Sequence, residues 1–89
     1  MSDSSVRCWL VERSFDDRNL VTTVYATRDG RKFRKRTRSE MALRRGSPVT
    51  AAVTVPEADL EGTPDGETRE RYATEADRVA SEHDPDDPV

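Results

Sequence analysis

From residue 6 the chain alternates apolar and polar positions for ten residues, with Val6, Trp9, Leu10, Val11 and Phe15 supplying the apolar side. Period-two patterning rich in β-branched and aromatic residues predicts a strand over 6–15. Asp16-Asp17-Arg18-Asn19 is a cluster of turn formers. Residues 20–27, Leu-Val-Thr-Thr-Val-Tyr-Ala-Thr, predict a second strand of high β-propensity. Asp29-Gly30 then signals a two-residue type I′ hairpin turn, which needs positive φ at both positions. Residues 31–38 must be the returning strand, although Phe33 is its sole large apolar residue.

Ser39 to Gly46 admits two readings. Ser39 caps a short helical turn holding Met41, Ala42 and Leu43, with Gly46 just past its end, or the segment is irregular. Residues 49–55 predict a fourth strand, which Pro56 ends. Thr63-Pro64 reads as an N-cap followed by proline at the first helical position. From there to about Glu82, Tyr72, Ala76, Val79 and Ala80 recur at helical spacing. Glu67–Arg71, Arg71–Glu75 and Arg78–Glu82 are spaced to pair along the solvated side. The expected fold is α+β: a four-stranded antiparallel sheet, ββββα in order, with one C-terminal helix packed on one face. Residues 1–83 form a single domain in this reading, and residues 84–89 a disordered acidic tail with two prolines and three aspartates.

The two turns also assign the faces. A reversal at Asp29-Gly30 sets Ala26 opposite Phe33, Tyr25 opposite Arg34 and Thr23 opposite Arg36. A first hairpin centred on Asp17-Arg18 sets Trp9 opposite Ala26 and Leu10 opposite Tyr25. Because side chains alternate, Trp9, Val11, Val24, Ala26 and Phe33 share one face, suited to the helix stripe. Cys8, Leu10, Val21 and Tyr25 share the other with Lys32, Arg34, Arg36 and Arg38. Four cations then stand along one strand at intervals of about 6.5–7 Å.

Charge sharpens this picture. Residues 28–45 carry nine basic and two acidic side chains, residues 57–89 three basic and twelve acidic, within an overall net charge of −3. Such segregation steers partners of opposite sign without specifying a reaction. The apolar fraction is 33% and the charged fraction 37%, so a single 89-residue domain has a thin core.

Several function classes lose ground at once. No stretch approaches the roughly 18–20 apolar residues of a membrane span. Met1-Ser2-Asp3-Ser4-Ser5 lacks the basic and apolar regions of a signal peptide, so a soluble, cytoplasmic protein is expected. Cys8 is alone, which leaves no intrachain disulfide and no multi-cysteine zinc site. The single histidine, His83, begins the acidic tail, Cys8 has no base near it in sequence, and no Gly-rich phosphate loop occurs. A non-enzymatic protein without metal, cofactor or small-molecule substrate is therefore expected.

What remains is an interaction domain using the basic strand, residues 28–38, as its contact surface, with Tyr25, Lys32, Arg34, Arg36 and Arg38 as candidate binding residues. The partner is another protein or a second copy, a homodimer burying Leu10, Val21 and Tyr25 between sheets. The alternative is nucleic acid, RNA or single-stranded DNA, with arginines on phosphates and Tyr25 stacking a base. No RNA-recognition, zinc-finger or helix-turn-helix pattern supports that alternative.

Thirteen of the fifteen basic residues are arginine, and acidic residues outnumber basic ones. Val6-Arg7-Cys8-Trp9-Leu10-Val11-Glu12-Arg13, and Glu70-Arg71-Tyr72-Ala73 through His83-Asp84-Pro85-Asp86-Asp87, resemble a family of short acidic, Lys-poor haloarchaeal proteins of unassigned function. The resemblance implies a cytoplasm of high ionic strength and brings no catalytic residues. Molar salt shortens the Debye length to about 3 Å and weakens phosphate binding that rests on charge alone.

Overall fold

The structure is a computed structural model that describes residues 4–46 and 49–89, with the backbone alone at 43–45. Expectations that fall on residues 1–3 and on the side chains of Leu43, Arg44 and Arg45 lie outside the described residues.

Three strands form a meander: β1 (Ser5–Phe15), β2 (Leu20–Ala26) and β3 (Lys32–Ser39). A short helix α1 (Glu40–Arg45) follows, then β4 (Ala52–Pro56), a 3₁₀ turn (Glu57–Asp59), β5 (Glu61–Gly62) and the long helix α2 (Gly66–Glu82). The sheet is antiparallel in the order β4-β1-β2-β3-β5. It thus has five strands, not the four expected. The fifth is two residues long, too short for a hydrophobic period to announce it, and exists because Lys32 and Phe33 offer it an edge.

The hairpins keep the expected register by different means. Between β1 and β2 the turn holds three residues rather than two: Asp16 and Leu20 close it, and Asn19 sits at φ 62°. Asparagine tolerates that left-handed conformation. The extra residue would shift every pair by one, but β1 bulges between Leu10 and Glu12 and absorbs the shift. Trp9 therefore still meets Ala26, and Leu10 still meets Tyr25. Only residues between bulge and turn change sides.

The second reversal is not a type I′ turn. Gly30 has a positive φ of 71° but Asp29 does not, and Gly30 N–H donates to the Thr27 carbonyl at 2.8 Å. Thr27 N–H donates to the Lys32 carbonyl, so four residues are looped out symmetrically. Ala26–Phe33, Tyr25–Arg34 and Thr23–Arg36 pair as expected. Gly30 is required on two counts: its φ, and a side chain there would run into the Arg69 carbonyl of α2.

Helix α2 starts two residues later than expected. Asp65, not Thr63, is its N-cap, accepting from Thr68 N–H at 2.7 Å. Thr63 is committed elsewhere, its hydroxyl donating to the Gly30 carbonyl and its N–H to that of Arg31. The short helix α1 forms with Ser39 as its cap, accepting from Ala42 N–H at 3.1 Å. Of the expected pairs along α2, Arg78–Glu82 forms at 2.9 Å, and Arg78 also holds Glu75. Arg71 instead lies over the Tyr72 ring.

Four residues, 57–60, connect the two outermost strands. Across a flat sheet those strands would be about 19 Å apart, which a connection containing a 3₁₀ turn cannot reach. The sheet is therefore curled. Glu57 marks the curl, its N–H bonding the Ser4 carbonyl beside β1 while its carboxylate lies 3.5 Å from Lys32 Nζ of β3.

Each face has its own apolar cluster. On the outer face α2 sets Tyr72, Ala76 and Val79 against Trp9, Val24, Ala26, Ala51 and Ala52, with Phe33 edge-on to Tyr72 at 5.8 Å. On the inner face Cys8, Tyr25 and Val55 pack with Val6, Leu10, Val53 and Leu60. Residues 84–89, expected as a disordered tail, are hydrogen-bonded along the chain leading into β4. Ala51 N–H donates to Asp87, Ala52 N–H to Pro85, and Val89 N–H to Val49. Val89 packs on the Trp9 cluster. Composition pointed the other way because the unpaired amides that receive the segment are far from it in sequence.

Candidate functional site

The inner face carries the candidate site. Strand β3 places Arg34 opposite Tyr25, Arg36 opposite Thr23 and Arg38 opposite Val21, so the three arginines share one side of the sheet. Across from them Thr50, on the chain entering β4, and Val53 and Thr54 of β4 form the opposite wall. Between these walls lies a cavity of about 390 Å³ lined also by Thr23 and Tyr25.

The basic run is not uniform. Near the hairpin tip its charges are neutralised: Arg28 pairs with Asp77 of α2 at 2.6 Å, Arg31 approaches Asp29 at 3.9 Å, and Lys32 meets Glu57 at 3.5 Å. Further along, the guanidiniums of Arg34, Arg36 and Arg38 form no ion pair or hydrogen bond with any described residue. Arg34 and Arg38 are half-buried and Arg36 is exposed. Three guanidiniums with open donors form a surface suited to planar or tetrahedral oxyanions, while of the lining threonines Thr23 and Thr50 already donate their hydroxyls to the Arg36 and Ala52 carbonyls.

The five residues expected as the site therefore separate. Arg34, Arg36 and Arg38 come together at the cavity, while Lys32 is drawn to Glu57 at the closed end. Tyr25 is 8% exposed and serves as structure. Its hydroxyl donates to the Thr50 carbonyl at 2.8 Å, tying β2 to the opposite wall. Burial pushes the Tyr25 phenol up, while the Thr50 bond and the positive charges of Arg38 and Arg13 pull it back in part. A ring held this way cannot stack a base.

Two residues reach this face that the sequence pattern set on the other. The bulge at Val11 turns Arg13 to pair with Thr23 and Phe15 to pair with Val21. Phe15 is 61% exposed. Arg13 is engaged, donating to the Val89 carbonyl at 2.7 Å. Asn19 was the available signal, since an αL-tolerant residue at the end of the turn allows a third loop residue. Nothing local announces the bulge.

The Cys8 thiol is fully buried and burial raises its pKa, leaving it protonated and unreactive. Among the described residues no group of His, Cys, Asp or Glu is arranged to hold a metal ion. No described helix is long and apolar enough to cross a membrane.

The chain belongs to a family of unknown function, DUF7967, whose model matches residues 1–89. No curated protein and no solved structure matches it. Family membership thus covers the whole chain and assigns no activity.

Proposed function

We propose that this domain is a non-catalytic binding module whose contact surface is the arginine groove and whose partner is anionic. The observation that carries the reading is the split within the basic run: Arg34, Arg36 and Arg38 line a cavity without counter-ions, although the chain has an excess of acidic residues. Stability alone gives no reason to gather three unpaired cations, which repel one another. Contact with an anionic partner offsets that repulsion, and arginine is the side chain best matched to bidentate oxyanion contacts.

A homodimer draws less support. The apolar residues it was expected to bury are covered within the chain: Val21 and Tyr25 are buried, and Leu10 packs against the inner cluster. Self-association would have to rest on charge.

The acidic, arginine-rich composition further supports a cytoplasm of high ionic strength as the working environment. In such a medium charge alone holds a partner weakly, so contacts that salt does not screen must add to it.

Calorimetric titration of the full chain with polyphosphate, polyglutamate and oligonucleotides, at low salt and near molar salt, tests the reading. At least one polyanion binds at low salt, and Arg34→Glu combined with Arg36→Glu abolishes the binding while leaving the circular dichroism spectrum unchanged. Absence of binding to every polyanion at low salt would overturn it.

A further inference from the structure

Three rungs cross the inner face from β1 through β2 to β3. They read Leu10–Tyr25–Arg34, Arg13–Thr23–Arg36 and Phe15–Val21–Arg38. The first rung lies over the inner cluster, where Leu10 and Tyr25 pack together. The third ends in an aromatic ring that is 61% exposed. A single exposed phenylalanine on a surface needs no explanation by itself. Phe15 is distinguished by its neighbours, because it stands two strand spacings, about 9–10 Å, from the Cα of Arg38 on the same side of the sheet. A guanidinium on a phosphate and a ring under a base can thus engage neighbouring parts of one strand.

We propose that the partner of this groove is a single-stranded nucleic acid, with Phe15 as the stacking platform and Arg34, Arg36 and Arg38 following the phosphates. The inference rests on the anionic-partner reading above and adds its chemical class. Three features favour it over an acidic protein surface. The arginines recur at every second residue, about 6.5–7 Å apart, as a regularly charged backbone requires. The Thr54 hydroxyl, which lines the cavity and forms no hydrogen bond with a described residue, suits a phosphate or sugar oxygen. The exposed ring beside the cations offers a flat apolar surface that carboxylates do not use, whereas unpaired bases do. Bases within a duplex are already stacked and paired, so a platform of this kind discriminates in favour of single strands. Stacking is also much less sensitive to salt than phosphate binding, which supplies what a groove working at high ionic strength needs.

The test is fluorescence anisotropy with labelled twelve-nucleotide oligo(U) and oligo(dT), a duplex of equal length, polyphosphate and polyglutamate, over a range of salt. The single strands bind at least ten-fold more tightly than the duplex. Phe15→Ala and Phe15→Leu both weaken single-strand binding about 5- to 150-fold with the salt slope unchanged, and Phe15→Trp restores it. Arg36→Ala with Arg38→Ala instead flattens the plot of log affinity against log salt, by about 0.7 for each phosphate no longer neutralised. Phe15 is exposed, so these variants fold, and circular dichroism verifies that. Unchanged affinity in Phe15→Ala, or duplex binding as tight as single-strand binding, overturns the inference. Tighter binding of polyglutamate reassigns the groove to an acidic protein and also overturns it. In each of those outcomes the anionic-partner reading stands as long as Arg34→Glu with Arg36→Glu abolishes binding. If no polyanion binds, both fail.

Discussion

The two faces of the sheet share their backbone and differ in what covers them. On the outer face a 17-residue helix lays Tyr72, Ala76 and Val79 over Trp9, Val24 and Ala26. On the inner face a four-residue crossing supplies Leu60 and leaves the far end of the face open. On the outer side acidic residues of α2 pair with two cations, Asp77 with Arg28 and Glu75 with Arg78. The inner face leaves three arginines unpaired around a cavity. Under the proposed function, stability and recognition are divided between the sides of one thin, curled sheet.

The sharpest way to break that division is to truncate each face in turn. Tyr72→Ala removes the ring that packs on Val24, Ala26 and Phe33 and should cost about 3–5 kcal/mol, much of the ~5–13 kcal/mol expected for a chain of this size. Urea unfolding followed by circular dichroism measures it. A loss below about 1 kcal/mol would place the true core elsewhere. Gly30→Ala attacks the joint between the second hairpin and α2. It combines a positive φ with collision against the Arg69 carbonyl and should cost about 2–3 kcal/mol. A melting temperature equal to wild type would show that the hairpin tip is not seated on the helix.

The inner face should respond less. Tyr25→Phe keeps the ring and deletes the bond to the Thr50 carbonyl, for an expected loss of about 1 kcal/mol. It should also loosen the cavity wall, weakening anion binding more than Arg28→Ala does. Arg34→Ala and Arg36→Ala should leave stability within about 0.5 kcal/mol while weakening anion binding. A large drop in stability from either would make the arginine row structural.

The smallest effect separates the faces by pH. Cys8 and Tyr25, both inner residues, have raised pKa values because burial disfavours their charged forms. Their unfolded forms ionise near about 8.5 and 10. Stability from this cluster is therefore full below about 8.5 and declines as pH rises toward the raised folded values. On the helix side the shifts run the opposite way. Backbone N–H of Thr68 depresses Asp65, and the Arg78 guanidinium depresses Glu75. Those contributions are present above the ordinary carboxylate range near 4 and vanish as pH falls through the depressed values. A stability curve with an acid limb lost in Asp65→Ala and an alkaline limb softened in Tyr25→Phe would assign each limb to its own face.

Much of this arrangement was legible without coordinates. Alternation over 6–15 and 20–27, the glycine of the second reversal and the helical spacing of Tyr72, Ala76 and Val79 are local signals, and each formed the element it announced. Arg34, Arg36 and Arg38 were legible as one row because β3 has no bulge. The burial of Tyr25 was not legible, because the residues that cover it, Val53, Val55 and Leu60, arrive through the curl of the sheet. Phe15 falls on the opposite face from the one its alternation implies, because a third turn residue and a bulge compensate one another at a distance. Together they restore the register beyond the bulge while inverting the segment between.

The local periods, the need for glycine at position 30 and the separation of basic from acidic segments are written in the amino-acid sequence. These depend on neighbours a few residues away. Which guanidiniums are neutralised, which aromatic ring is hidden and which is offered to solvent, and whether residues 84–89 have an edge to follow were decided by tertiary structure alone. Each depends on groups distant in sequence that meet only when the sheet closes on itself.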